Sequence, residues 1–174
     1  MKFIKTNLRD AYLIDLEKRE DERGFFARFF CKKEFNSNNL DNEIVQINNS
    51  FSVNRGTFRG LHFQKSPMSE DKIIRCVSGS LLDIIVDIRP ESNTYLQHFK
   101  VELSASNRLA LFVPKGFAHG FLTLMDNTEA FYLTTQFYSP EFESGLRYDD
   151  PKLNIELPFD PICITEKDRN WLML

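Results

Sequence analysis

Three cysteines in 174 residues, Cys31, Cys76 and Cys163, are too few and too scattered for a disulfide framework. None forms a CxxC pair, which removes the zinc-ribbon and dithiol-redox classes and points to a reducing compartment, the cytosol. Histidine is equally scarce, at three. No apolar run approaches the ~20 residues of a membrane span. The opening Met1-Lys2-Phe3-Ile4-Lys5-Thr6 lacks the apolar core of a signal peptide. Excess charge is missing too. A formal net charge of -3 gives no overall electrostatic reason to bind nucleic acid or an anionic membrane, though it allows a local basic pocket for a phosphorylated ligand. Repeats, low-complexity tracts and linkers are also absent, so residues 1–174 read as one domain.

What is present is a globular composition, 42% hydrophobic and 27% charged, long enough to bury a core. Ala11–Leu16 reads as an early strand, followed by a charged turn, Glu20-Asp21-Glu22-Arg23-Gly24, and an extended aromatic run, Phe25–Phe30. Lys32–Leu40 reads as a short helix ended by asparagines. In Ile44–Ser50, apolar and amide side chains alternate, so one strand face carries Gln46, Asn48 and Ser50. Lys72–Val77 and Leu81–Ile88 flank Ser78-Gly79-Ser80, a hairpin signal. Further strands follow at Phe99–Leu103, Leu109–Val113, Gly120–Leu124 and Glu129–Gln136, at the spacing of a β-sandwich or barrel. Thr165-Glu166-Lys167-Asp168 begins a short terminal helix carrying Trp171.

The chemistry concentrates in Thr57-Phe58-Arg59-Gly60-Leu61-His62-Phe63-Gln64. Arg59 and His62, three apart, would point to opposite faces of a regular strand, but Gly60 permits a bulge that brings them together. One group can then hold an anion while the other moves a proton. His119 lies in matching surroundings, Gly116-Phe117-Ala118-His119-Gly120-Phe121, whereas His98 reads as exposed and uninvolved. A core histidine and a solvated arginine are the bland alternatives for each position taken alone.

Pro114-Lys115-Gly116-Phe117-Ala118-His119 matches the PxGxxH half-motif of the cupin barrels. The metal-binding half of that pattern is not matched, because Gln64 and Lys72 stand where anionic or imidazole ligands would be needed. The expectation is an all-β cupin-type jelly-roll barrel with short peripheral helices, one of them C-terminal. No metal or cofactor is expected in it, and the Lys72 charge would do the electrostatic work of an ion.

Six stretches in order, Asp21–Phe26, Arg59–Gln64, Lys72–Arg75, Gly116–Phe121, Tyr138-Ser139-Pro140-Glu141 and Asp149-Asp150-Pro151, make the chain resemble the dTDP-4-dehydrorhamnose 3,5-epimerase (RmlC-type) family from about Lys5 to Asp168. The resemblance implies cofactor-independent proton abstraction and return beside the C4 ketone of a nucleotide-diphosphate sugar. It makes His62 the base, Asp168 its carboxylate partner, Lys72 the enolate stabiliser and Tyr132 the acid. It assigns Arg23, Phe26, Gln46, Asn48, Arg59, His119 and Tyr138 to substrate binding. It further implies a homodimer in which the N-terminal segment, with Arg23 and Phe26, crosses to the partner's pocket. Arg28, Leu133 and Phe137 depart from the family pattern, which leaves open the nucleotide carrier and whether C3, C5 or both are inverted. A sugar 3,4-ketoisomerase, a metal-dependent oxygenase and a non-catalytic sugar-binding barrel are the alternatives.

Overall fold

A computed structural model describes residues 1–40 and 43–174. The chain runs through β1 (Lys2–Lys5), β2 (Tyr12–Asp15), β3 (Arg19–Asp21), β4 (Gly24–Phe26) and α1 (Lys32–Ser37). The central strands are β5 (Gln46–Ser52), β6 (Phe58–Gln64), β7 (Lys72–Ser78), β8 (Ser80–Asp87) and β9 (His98–Ser104). Strands β10 (Ala110–Val113), β11 (Phe117–Thr123), β12 (Thr128–Thr134) and β13 (Glu143–Gly145) and helix α2 (Glu166–Arg169) complete the series.

Two antiparallel sheets face each other, one ordered β1-β2-β10-β7-β12-β5 and the other β13-β6-β11-β8-β9. They remain separate hydrogen-bonded ladders, so the jelly roll is an open sandwich with no continuous ring of strands. Strands β3 and β4 form a detached ribbon.

Strict alternation assigns each side chain to a layer. Ile74 and Cys76 from β7, Leu111 from β10 and Ala130 from β12 meet Leu81 and Ile85 from β8 and Phe121 from β11 between the sheets. The opposite faces of the same strands are covered separately. Ile73, Phe112 and Leu133 pack under α1, whose Phe35 is fully buried and touches Phe3, Phe30 and Phe112 edge-on or tilted. Phe58, Ile84, Ala118 and Leu122 are covered by the C-terminal stretch through Leu146, Leu153 and Phe159. Each fully buried side chain of this size contributes about 1.5–3 kcal/mol, so both outer layers act as fixed supports for the sheets.

Two expectations need correcting. The Ser78-Gly79-Ser80 signal does mark a reversal, but β7 pairs with β10 and β12 while β8 pairs with β9 and β11. The turn therefore carries the chain from one sheet to the other instead of joining a hairpin. Gly79 is required there because its φ is +71° and an added Cβ would lie 2.5 Å from Thr128 Oγ1. Of the aromatic run, only Phe25 and Phe26 lie in a strand, β4; Phe29 and Phe30 turn inward against the α1 layer, where burial outweighs extension.

Candidate active site

The interior between the sheets is filled with hydrocarbon at one end and hollow at the other. A cavity of about 530 Å³ opens where β5, β12 and β7 face β6 and β11. Alternation on β5 points Gln46, Asn48 and Ser50 into it, the face expected from the sequence. Alternation on β7 and β12 adds Lys72, Ile74, Ala130, Tyr132 and Thr134.

On β6 the alternation breaks where the site needs it to. The β6–β11 register shifts between His119 and Phe121, so Arg59 and His62 both line the cavity although three residues separate them. Gly60, at φ +134°, makes this possible: a Cβ would sit 2.5 Å from Gly120 Cα and 3.0 Å from His119 O. The two strands thus approach glycine to glycine, with His62 directly opposite His119 in the ladder.

Both histidines are paired with buried carboxylates. His62 Nε2 lies 2.6 Å from Asp168 Oδ1, with Asp168 only 3% exposed and His62 32% exposed on the cavity side. Asp168 Oδ2 also accepts the Gly60 N–H at 3.3 Å, and the Asp168 N–H donates to Thr165 Oγ1, the N-cap of α2. Burial alone would raise the Asp168 pKa. Hydrogen bonds from His62 and Gly60 outweigh it and hold the carboxyl below its usual range. An ionised Asp168 must accept, so His62 Nε2 carries hydrogen and Nδ1 is the basic nitrogen. His119 Nε2 similarly lies 2.9 Å from Asp83 Oδ1.

Across the cavity Lys72 Nζ sits 3.0 Å from Glu70 Oε1 and 3.5 Å from His62 O. Burial, and then the Glu70 carboxylate, push the Tyr132 phenol above its ordinary pKa, with Arg59 opposing, so Tyr132 is a proton donor at neutral pH. Arg59 is braced by Ser52 Oγ (3.2 Å) and Phe51 O (3.1 Å). Tyr138 is seated by Gln46 Oε1, which accepts its N–H at 2.6 Å, and its hydroxyl donates to Glu143 Oε2, which also pairs with Lys167 at 2.6 Å.

Nine of the eleven expected site residues therefore line one cavity: His62, Lys72, Tyr132, Asp168, Gln46, Asn48, Arg59, His119 and Tyr138. Arg23 and Phe26 do not. They lie on the exposed β3–β4 ribbon, Arg23 paired with Asp21 and Phe26 71% exposed. Sequence reasoning missed Glu70, Asp83, Glu143 and Lys167. Two signals were available: Glu70 is two residues from Lys72, and Asp83 is a charge set inside the apolar run Leu81–Val86. His98 is half-buried, its Nδ1 3.0 Å from Leu153 O, and lies outside the cavity. Trp171 follows α2 and does not belong to it; its indole packs against Gly145 and edge-on to His62. Among the described residues no three His, Cys, Asp or Glu side chains are grouped to hold a metal ion.

A jelly-roll sandwich whose open end gathers a carboxylate-backed imidazole, an ammonium and a protonated phenol defines a cupin-fold acid–base enzyme, an isomerase. The dTDP-4-dehydrorhamnose 3,5-epimerase family model matches residues 5–174, and the chain belongs to that family. It is 44% identical over 173 residues to the dTDP-4-dehydrorhamnose 3,5-epimerase of Methanothermobacter thermautotrophicus, covering 98% of this chain and 92% of that protein. The corresponding Escherichia coli enzyme is 39% identical, with 100% and 95% covered. The crystal structure of the Bacillus anthracis enzyme with TDP and PPi bound superposes with a TM-score of 0.95 at 40% identity, covering 99% of each chain.

Proposed function

We propose that this protein epimerises a dTDP-linked 4-keto-6-deoxyhexose at the carbons flanking the ketone. His62 Nδ1 takes the proton from C3 or C5, the C–H electron pair moves into the C4 carbonyl to form an enolate, and the Lys72 ammonium stabilises that oxygen. Asp168 holds the ring tautomer and offsets the imidazolium charge. The Tyr132 hydroxyl then returns a proton to the opposite face of the carbon, after which phenolate and imidazolium re-equilibrate with water. The observation that carries this reading is the 2.6 Å His62–Asp168 pair opening on a cavity that also holds Lys72 and Tyr132.

Arg59 offers a planar fork for a diphosphate, Gln46 and Asn48 offer amides for the sugar or base, and Tyr138 a ring at the mouth. His119, backed by Asp83, contacts the sugar. The relatives' dTDP names and the TDP-bound B. anthracis structure favour dTDP as the carrier despite Arg28, which here pairs with Glu34. Arg23 and Phe26 serve the second subunit of a homodimer. An uncovered apolar face on the edge strand β5 and its neighbour β12, with Ile47, Phe51 and Phe131 exposed, supports that assembly. Residues 1–174 act as one domain. The three unpaired thiols suit the cytoplasm, and among the described residues no helix is long and apolar enough to cross a membrane.

The test is incubation with dTDP-4-keto-6-deoxyglucose in D2O, read by NMR. Deuterium at C3 and C5 is expected. Label at C3 alone would make the enzyme a monoepimerase, carbonyl migration would make it a ketoisomerase, and no label anywhere would reject catalysis at this site.

A further inference from the structure

We infer that Glu70 is a positioning residue for this reaction: its carboxylate seats the Lys72 ammonium at the ketone end of the cavity and ties it, through Gln64, to the Phe137–Ser139 wall. The inference rests on the epimerase reading of the same cavity.

Glu70 and Lys72 are both largely removed from solvent, 7% and 12% exposed, and their charges lie 3.0 Å apart. Burying an ammonium without a partner is strongly unfavourable, so some anion has to accompany Lys72 into this wall. Glu70 stands two residues ahead of Lys72, the first residue of β7, and that spacing puts both side chains on one face of the extended chain. The second carboxylate oxygen takes a close hydrogen bond from Gln64 Nε2. Gln64 in turn accepts the Ser139 N–H at 2.6 Å through Oε1, and its Nε2 lies 3.1 Å from Phe137 O. Glu70 thus fixes the ammonium to β6 and to the segment that carries Tyr138.

This arrangement also apportions the donors. An ammonium has three hydrogens. One points to Glu70 and one toward His62 O, which leaves the third for an oxygen developing negative charge in the cavity. Without Glu70 the ammonium would lose the partner that fixes its rotamer. The same carboxylate faces Tyr132 on β12, where Arg59 from β6 and Glu143 from β13 also act. His62, His119, Tyr138, Lys167 and Asp168 are the remaining charged or titratable groups around the cavity, and each has another partner than Glu70.

The test compares kcat and KM for the wild type, Glu70→Gln and Glu70→Asp, alongside Glu70→Gln in a Lys72→Met background, followed by single-turnover deuterium incorporation. A displaced ammonium weakens the hold on the enolate and not on the ground-state substrate, so kcat of Glu70→Gln is expected to fall about tenfold or more with KM little changed. Glu70→Asp, which keeps a carboxylate for Lys72, should recover much of the wild-type kcat, and Glu70→Gln should cause no further loss once Lys72 is gone. An unchanged kcat in Glu70→Gln, an equal fall in both variants, or the same loss with and without Lys72 would overturn the inference. So would a Glu70→Gln protein that fails to fold, since that assigns Glu70 to the fold and not to the reaction. A wild type that incorporates no deuterium would instead refute the epimerase reading itself.

Discussion

Replacing Asp168 with asparagine isolates the proton-abstraction step. The side chain keeps its shape, is 3% exposed, and sits between two donors, His62 Nε2–H at 2.6 Å and the Gly60 N–H at 3.3 Å. A carboxylate satisfies both, but an amide has one oxygen. If that oxygen takes the Gly60 N–H, the amide nitrogen donates to His62 Nε2. The ring hydrogen then moves to Nδ1, and the base is lost. If it takes His62 instead, two N–H groups face each other at Gly60 in a buried site. Loss of a hydrogen bond to a charged group costs about 1.5–3 kcal/mol, which is about 10- to 160-fold in rate at 1.36 kcal/mol per tenfold. Misplacing the tautomer removes much of what a general base contributes, so the expected fall in kcat is about 10²–10⁴-fold. Deuterium exchange at C3 and C5 should fall in step with turnover, while KM changes little because Asp168 bonds His62 and Gly60 and none of the groups read as holding the substrate. A variant that keeps its fold and turns over within tenfold of wild type would refute the dyad.

His62→Ala should abolish exchange at both carbons, checked by NMR in D2O, whereas Tyr132→Phe should slow epimerisation more than exchange, because proton loss and return use different groups. Asp87 is fully buried; burial would raise its pKa, but hydrogen bonds from Arg89, Ser92 and Thr94 bring it down to about 2 from 3.8. That difference corresponds to about 2 kcal/mol of stability, fully present above the unfolded-state value and lost as pH falls through the folded one. The stability gap between wild type and Asp87→Asn, measured by urea unfolding, should therefore be widest near neutrality and narrow toward pH 2. Burial raises the Cys76 thiol to about 11, so at pH 8 thiol reagents should label exposed Cys163 and spare Cys76 until the protein unfolds.

The parts of the site that could be read from sequence were those set by alternation. Gln46, Asn48 and Ser50 had to share a face, and Gly60 had to break the period if Arg59 and His62 were to meet. The Ser78-Gly79-Ser80 turn was harder, because a glycine turn announces a change of direction but not whether its two arms hydrogen-bond to each other. Which sheet receives β8 depends on β9 and β11, strands that pair with it from later in the sequence. Glu143 and Lys167 escaped for a related reason. Glu143 lies on a three-residue strand and Lys167 on a one-turn helix, too short to show a period, and Lys167 reaches Glu143, the partner of Tyr138, only through tertiary packing. The β3–β4 ribbon stands away from the cavity in the single chain, so no pattern within one chain could place Arg23 and Phe26 in it.

The His62–Asp168 pair joins residues 106 positions apart, and its carboxylate arrives on the last helix of the chain. A growing polypeptide released before that helix emerges would hold both sheets and a base without its counter-charge. Proteolytic nicking in the connecting stretch near Asp160 would likewise silence turnover while leaving spectroscopic signs of folding intact. Turnover should therefore report that the stretch joining β13 to α2 is uncut, which no measure of β content can do.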